Sequence, residues 1–483
     1  MGRFGFNGGS YSARSPVADA ERAINLIPEK DESGQGKSAL QLYTRPGLRK
    51  FCALNDAAGR GTHYYKGRLF AVAGSTLYEV FADGTQNQLY QLLANDGLPV
   101  SFAGNQANQI CFASGGTVYL LDMTSNKVTQ PAGLQGPVSM LGGYADGYFV
   151  ALLANSGKFQ FSALLDGSNW PGLQIDQVSV FPDNITTFII DHRELIVGGP
   201  KSGVGYYDSG SGNIYDVIPG GYMEIGAAAT WGRCKLDNTV FWWGRDENGS
   251  MMGFRAQGYQ PARISTHAIE YAVQNYPSWA DVECFAFQEY GHTFWVSRFP
   301  SANNGLGTTL VYDVSTGLWH EWDWTDPNSG AHYAHLARNH VFAFDKHLVQ
   351  DWRSGNLYEM SSRFADDDGM PIIADRIGPS IARENDWIYH NQIELDIEKG
   401  LGPTPGLAGL SEQPAQIILP DANGNLYAVT ANDDGTLNYA AWAGSPQTPL
   451  ILNDYQASGV LWQVIIDFNE AGQAVLGTKQ VYS

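Results

Sequence analysis

Hydrophobic and polar residues alternate along most of this chain in short runs separated by turn residues. Two clear examples are GRLFAVAGSTLYEVFADG at residues 67–84 and NQICFASGGTVYLLDMTSN at residues 108–126. Each holds a short run, a turn of small residues, and a second run that opens with Thr, an apolar residue and Tyr. Alternation over five or six residues is the period of a β-strand with one buried side. The pattern therefore predicts hairpins of short strands.

This two-strand unit recurs along the chain, and an aromatic residue marks the same position in each copy. The marker residues lie 41, 40, 47, 48, 58 and 46 residues apart and are Tyr78, Tyr119, Phe159, Tyr206, Phe254, Tyr312 and Tyr358. The segment PSANNGLG at residues 300–307, inserted between two strands, accounts for the longest interval. A period of about 40–50 residues is that of one four-stranded blade of a β-propeller. We therefore predict an all-β fold with a β-propeller of six or seven blades; a large β-sandwich is the alternative.

The propeller is expected to occupy residues 55–370, with a different segment on each side. Residues 1–54 are poorly periodic and are predicted to form an irregular N-terminal arm, in which ADAERAIN at residues 18–25 is a short helix candidate. Beyond a turn-rich boundary, residues 371–483 alternate again, and Gly and Pro punctuate them. A C-terminal β-sandwich is predicted there.

Composition and charge exclude several classes of protein. Charged residues make up 16% of the chain and the formal net charge is −20, which argues against a surface that binds nucleic acid. No stretch approaches the roughly 18 apolar residues of a membrane-spanning helix, and the N-terminus does not resemble a secretory signal. The four cysteines, Cys52, Cys111, Cys234 and Cys284, are scattered singly, which indicates free thiols in a protein made in a reducing cytoplasm.

No catalytic motif stands out, and the chain is predicted not to be an enzyme. The nearest match to the repeated box of sialidase-type propellers is SALLDGSNW at residues 162–170, which occurs once and has the wrong spacing. Neither a P-loop nor a G-x-S-x-G motif at a strand-to-helix turn is present. We assign no catalytic residue and no cofactor-binding residue, and expect no cofactor.

Metal binding has little support in the sequence. The histidines cluster at His332, His335, His340 and His347, but strand residues three or five apart point to opposite faces of a sheet. No metal ligand is therefore assigned. The acidic segments at residues 366–369, 421–425 and 432–435 do not match a calcium-binding loop and are interpreted as solvated turns. Calcium binding by one of these turns stays open.

The segment LWHEWDW contains three tryptophans within one predicted strand. Trp322 and Trp324 are two residues apart and so share a face of that strand. Large aromatic residues are favoured in protein interfaces, so these two are the candidate contacts with a partner. Burial between blades is the alternative interpretation.

Several segments resemble the packaged-DNA stabilisation proteins of short-tailed bacteriophages. That family pairs an (I/V)N-x-x-P element with a downstream PG(L/I) element, and the counterparts here are Asn25 with Pro28, followed by Pro46, Gly47 and Leu48. Residues 161–213 and residues 377–402 also resemble the family, in the same order along the chain. One departure is PDANGNLYAVTANDDG at residues 420–435, where many members carry an S-x-DGG-x-T-W-like stretch and then arginine-rich strands.

The resemblance implies a structural virion protein of the tail and head-closure complex, a tail hub made in the host cytoplasm. Such a protein lies in the ring below the portal and its adaptor, retains the packaged DNA and anchors tail spikes, fibres or a needle. It implies a homo-oligomeric ring, expected to be a hexamer, with no membrane contact. DNA would pass through the channel without specific binding, because an acidic wall repels it. The alternative is a propeller that binds or hydrolyses glycans, which would place two carboxylates together at the channel mouth.

Overall fold

The computed structural model describes residues 6–379 except residues 16–17, 37, 56, 182, 211–213 and 328. Beyond residue 379 it describes only the backbone of six strands. The first 54 residues contain five described strands: β1 (Tyr11–Ser12), β2 (Ala20–Ile24), β3 (Leu26–Lys30), β4 (Leu40–Thr44) and β5 (Gly47–Ala53).

Four-stranded antiparallel sheets follow one another along the chain as the blades of a propeller. The first three blades are β6 (Gly59–Tyr65), β7 (Arg68–Ala73), β8 (Thr76–Val80) and β9 (Gln86–Tyr90); β10 (Ser101–Gly104), β11 (Gln109–Ser114), β12 (Thr117–Asp122) and β13 (Lys127–Thr129); and β14 (Val138–Ala145), β15 (Tyr148–Leu153), β16 (Lys158–Phe161) and β17 (Ile175–Gln177). The fourth and fifth blades are β18 (Thr187–Asp191), β19 (Glu194–Gly198), β20 (Gly203–Asp208) and β21 (Tyr215–Met223); and β22 (Arg233–Leu236), β23 (Thr239–Arg245), β24 (Met251–Gln257) and β25 (Gln260–Arg263).

The last two blades belong to larger sheets. A helix, α1 (His267–Gln274), precedes the sixth blade, which is β26 (Glu283–Glu289), β27 (His292–Phe299), β28 (Thr308–Asp313) and β29 (Leu318–Thr325). The short strand β30 (His332–Ala334) extends it, and the seventh blade is β31 (Ala337–Ala343), β32 (Lys346–Asp351), β33 (Asn356–Ser361) and β5. Three short strands end the described body: β34 (Asp366–Asp367), β35 (Met370–Pro371) and β36 (Asp375–Ile377). Within the described residues the propeller therefore has seven blades.

The ring closes through its innermost and outermost strands. The inner strand β31 of the seventh blade lies beside β6 of the first. The outer strand of the seventh blade is β5, which comes from the N-terminal segment and pairs antiparallel with β33. The first and last parts of the propeller are thus held in one sheet, which leaves no unpaired strand edge between them.

The marker aromatics confirm the repeat that the sequence predicts. All seven lie on the third strand of a blade, and six of them are buried while Tyr312 is partly buried. Most blades also join their first two strands by a two-residue turn in which both residues have positive φ, as at Lys66 and Gly67. Such turns match the twist of the flanking strands. The all-β propeller is therefore confirmed.

The N-terminal arm differs from the expected irregular segment. The helix candidate at residues 18–25 is wrong, because β2 occupies Ala20–Ile24 and pairs with β1 and β36 on one side and with β29 on the other. Sheet partners satisfy the backbone of this segment, which a helix would satisfy internally. Residues 47–53 are also part of a blade, so the propeller begins before residue 55.

The cores lie between neighbouring blades, where aromatic rings from adjacent sheets interdigitate. Between the fifth and sixth blades, Trp243 packs against Trp295 and Trp319, with ring centroids 5.2 and 5.6 Å apart. All four cysteines are free, as predicted, and burial raises the pKa of the Cys52 thiol to about 11.

The tail strands form two antiparallel sheets of three strands each. They are β37 (Gln392–Glu394), β38 (Gln416–Pro420), β39 (Leu426–Ala431), β40 (Leu437–Ala441), β41 (Leu461–Phe468) and β42 (Ala474–Val481). The β-sandwich stays a prediction. The acidic segments at residues 421–425 and 432–435 lie outside the described residues.

Candidate functional site: the arm anchor and the channel arginines

A buried ion pair fastens the N-terminal arm to the propeller. Arg45, between β4 and β5, binds Asp367 of β34 through both guanidinium nitrogens, at 2.6 and 3.0 Å, and the two side chains are 1% and 3% exposed. The same guanidinium donates to the Asp323 carbonyl oxygen at 2.9 Å and to the Asn25 side-chain oxygen at 2.8 Å. Every donor nitrogen of Arg45 is thus bound, as a buried charge requires.

Asn25 connects three separate parts of the chain at this point. Its oxygen accepts hydrogen bonds from Arg45 and from the Asp323 backbone nitrogen, and its amide nitrogen donates to the Asp323 carboxylate and to the Ile373 carbonyl oxygen. The residue has a φ of 55°, a left-handed conformation that asparagine tolerates better than most residues. Asn25 therefore joins the arm, the sixth blade and the segment that leads towards the tail.

Arg45, Asp367 and Asn25 together form what we call the arm anchor. The residues Pro46, Gly47 and Leu48, which resemble the family element, lie directly beside it in the chain. A Cβ atom on Gly47 would lie 2.4 Å from the Asp366 carbonyl oxygen and 2.5 Å from that of Phe364, so only glycine fits. Leu48 is fully buried in the core between the sixth and seventh blades. The sequence element thus has a physical explanation, which is close packing of β5 against the connection to β34.

Two histidines with raised pKa values lie where the arm meets the sixth blade. His292 contacts the buried Asp313 through Nδ1 at 2.8 Å and faces Glu29 of β3 through Nε2 at 3.5 Å. The hydrogen bond with Asp313 is the main cause of its raised pKa. His332 contacts Asp323 at 2.6 Å, and that contact raises its pKa as well. Protonation of His292 therefore favours its contact with Glu29 of the arm, whereas protonation of His332 favours a contact within the sixth blade's sheet.

Three arginines, called the channel arginines below, lie at or next to the first residue of the innermost strand of a blade. Arg60 of β6 pairs with Asp96 at 2.7 Å, and Arg338 of β31 pairs with Glu283 at 2.6 Å. Arg233, the first residue of β22, has no carboxylate within 4.0 Å among the described residues. The first two arginines also donate to backbone carbonyl oxygens, which fixes neighbouring blades to one another.

The carboxylates on the described inner strands are all engaged. Asp191 binds Lys235 at 2.9 Å, Glu283 binds two arginines, and Glu289 accepts hydrogen bonds from Ser361 and Ser362. Acid–base catalysis on glycans needs a pair of carboxylates free to meet the substrate. No such pair is found on the inner strands in the described part of the chain.

The two predicted contact residues occupy different environments. Trp322 is 1% exposed and packs against Phe287 and Phe294, with ring centroids 5.9 and 5.7 Å apart, so it has almost no surface for a partner. Trp324 shares that face but is only partly buried, and the Arg353 guanidinium lies 4.3 Å from its ring. Contact with a partner stays a prediction, and Trp324 alone has exposed surface for it.

The acidic segment at residues 366–369 and the clustered histidines lie in different environments. The segment at residues 366–369 is not simply a solvated turn, because Asp367 is the buried partner of Arg45. His335 is buried, while His340 and His347 meet at 2.9 Å. Within residues 6–379, apart from the gaps named above, no group of three or more His, Cys, Asp and Glu residues could hold a metal ion.

The sequence signal for the anchor was present but ambiguous. Asp367 sits in a run of three aspartates, a pattern that usually marks a solvated turn. Arg45 precedes Pro46 and Gly47, and nothing local shows that a single arginine is buried. The pairing of residues 322 positions apart becomes visible only in the structure.

Comparison with known proteins identifies a family. Residues 8–365 match the family model described as "Bacteriophage P22 Gp10, beta-propeller". No curated protein matches the chain in sequence. In the described part of the chain, no helix is long and apolar enough to cross a membrane.

Solved structures that match this chain are distant in sequence. They include the extracellular domain of BT4673 from B. thetaiotaomicron, with 9% identity and a TM-score of 0.45 over 89% of this chain and 53% of that chain. The N-terminal domain of Nup159 matches with 10% identity and a TM-score of 0.42 over 70% and 98%. The chain thus spans about half the length of the BT4673 domain. Because their TM-scores are under 0.5, these likenesses carry no argument.

Proposed function

Because the chain belongs to the bacteriophage P22 Gp10 β-propeller family, we propose that it is a structural virion protein of the tail and head-closure complex. In this proposal it forms part of the ring below the portal and adaptor, retains packaged DNA, and anchors tail spikes, fibres or a needle. The observation that carries the proposal is the family match across residues 8–365, which includes both the arm and the propeller.

The hydrogen bonds of the described residues support a structural role. The arm is held by a fully bonded arginine, and Asn25 binds the arm and the Ile373 carbonyl oxygen together. Force applied to the chain after Ile373 would therefore be transmitted through these hydrogen bonds to the sixth and seventh blades. The membership in a phage structural family is consistent with a protein that is not an enzyme.

The proposal includes a homo-oligomeric ring, taken to be a hexamer, around the DNA channel. The chain carries a net charge of −20, so its surface would repel DNA on average and let it pass. Trp324 is the residue we propose for contact with a neighbouring protein, because its ring keeps some exposure beside Arg353.

Cryo-electron microscopy of assembled particles tests this function. Density for the seven-bladed propeller in a ring between the portal and the tail tip is expected, and it would also give the copy number. Particles assembled without the protein should package DNA and then lose it. If the chain is absent from purified particles, or if its loss leaves packaged DNA retained, the proposal fails, and glycan binding and hydrolysis become the activities to measure.

A further inference from the structure

The side chain of Arg233 is held at the junction of the third, fourth and fifth blades. Its Nε donates to the Thr187 hydroxyl, and its Nη2 lies 3.4 Å from the Met140 sulfur. The Thr187 hydroxyl in turn donates to the Thr230 carbonyl oxygen at 2.8 Å. This chain of contacts orients the guanidinium but leaves its charge without a counter-charge.

Comparison with the other two channel arginines shows what is missing. Arg60 and Arg338 each form a short salt bridge and donate to carbonyl oxygens. Arg233 has a hydroxyl and a thioether as partners, and among the described residues Nη1 has no hydrogen-bond partner. Burial lowers the pKa of Arg233 to about 9, so it is still charged at neutral pH. The Arg233 side chain is partly exposed, so its guanidinium, which pairs with no carboxylate among the described residues, is open to a small anion as counter-charge.

A cleft between the fourth and fifth blades is lined by Arg233 and by its hydrogen-bond partner Thr187. Its walls are mostly apolar and include Val197, Met223, Ala227 and Trp242. The space open to water-sized groups is about 30 Å³, enough for about two waters. Pockets for drug-sized ligands are about 300–1,000 Å³. The cleft therefore has room only for a small ion or a similarly small polar group.

We propose that Arg233 binds a small monovalent anion, such as chloride or formate, in the cleft between the fourth and fifth blades. The anion would neutralise the guanidinium and complete the junction, where Lys235 of the fifth blade already pairs with Asp191 of the fourth at 2.9 Å. In this arrangement the anion takes the place that Asp96 and Glu283 fill beside the other two arginines.

Thermal unfolding of the full chain in matched salts tests this site. Solutions of sodium chloride, sodium formate and sodium gluconate at equal ionic strength separate anion binding from general charge screening, because gluconate is too large for the cleft. Binding of an anion to the folded state alone stabilises it by mass action. We expect a saturable rise in Tm of about 2 °C in chloride or formate over gluconate.

Two variants show whether the effect belongs to this site. Arg233→Met should abolish the difference between the salts. Arg193→Met is the matched control, because it removes one arginine from an exposed position (side chain 81% exposed) and should keep the full difference. Equal Tm values in all three salts for the wild-type chain would overturn the proposal, as would an unchanged salt effect in Arg233→Met.

A measurement on the wild-type chain keeps the proposal testable if Arg233→Met does not fold. Crystals grown or soaked in bromide should show an anomalous peak beside the Arg233 guanidinium, and formate should displace it. Bromide elsewhere on the molecule with none at Arg233 would refute the site.

Discussion

Acid should destabilise the propeller through histidines buried between the sixth and seventh blades, and His320 is the sharpest case. Its side chain is fully buried against Trp322 and Phe294, with ring centroids 5.9 and 6.0 Å away, and neither ring nitrogen has a hydrogen-bond partner among the described residues. Burial lowers its pKa to about 3. His340 is shifted to about 3 for the same reason.

The size of the effect follows from linkage. An unfolded histidine titrates near pH 6.5, so below that pH the unfolded state binds the proton and the folded state does not. The free energy of unfolding therefore decreases as the pH falls from about 6.5 towards the pKa of His320 in the folded state. Each such group costs at most about 1.4 kcal/mol per pH unit. Between pH 6.5 and pH 5, His320 alone would remove about 2 kcal/mol, a large part of a typical stability of about 5–15 kcal/mol.

Urea unfolding at pH 7 and pH 5, followed by tryptophan fluorescence, measures this loss. His320→Phe keeps an aromatic ring of similar shape but cannot be protonated, so the drop in unfolding free energy between the two pH values should shrink by about 2 kcal/mol. His267→Phe is the control, because that side chain is 84% exposed on α1. An identical pH dependence in wild type and His320→Phe would refute the reasoning.

Three further predictions concern the arm and its anchor. Arg45→Met should lower the free energy of unfolding by about 3–5 kcal/mol in urea titrations, because a buried carboxylate loses its partner; a loss under 1 kcal/mol would contradict this. Raising the pH should deprotonate His292 and weaken its contact with Glu29. Amide hydrogen exchange in β3 and β4, corrected for intrinsic rates, should therefore increase at high pH in the wild type. In Glu29→Gln this increase with pH should be about two- to fivefold weaker. Gly47→Ala should lower the free energy of unfolding by about 1–3 kcal/mol, because the new Cβ would meet two carbonyl oxygens. Gly136→Ala is the control, because its Cβ would meet open space and should change the free energy of unfolding little. Equal effects of the two substitutions would exclude close packing as the cause.

The sequence by itself determined the repeating unit and the fold class. Each blade buries its own alternating residues within about 45 residues of chain, so the strand period and the marker aromatics such as Tyr119 are visible locally. The family elements at Asn25 and Gly47 are also readable, because left-handed φ and close backbone contact restrict which residues fit. These features depend on neighbours in sequence or on the backbone of the residue itself.

The tertiary structure decided everything that rests on distant pairing. Whether residues 18–25 form a helix or a strand depended on β29 and β36, which lie about 300 residues or more away. The same holds for β5 as the closing strand of the seventh blade and for Asp367 as a buried ion-pair partner. Alternation placed Trp322 and Trp324 on one face, but the neighbouring blade determined that one is buried and the other partly exposed. Burial is a property of what packs against a face, and a local pattern does not contain that information.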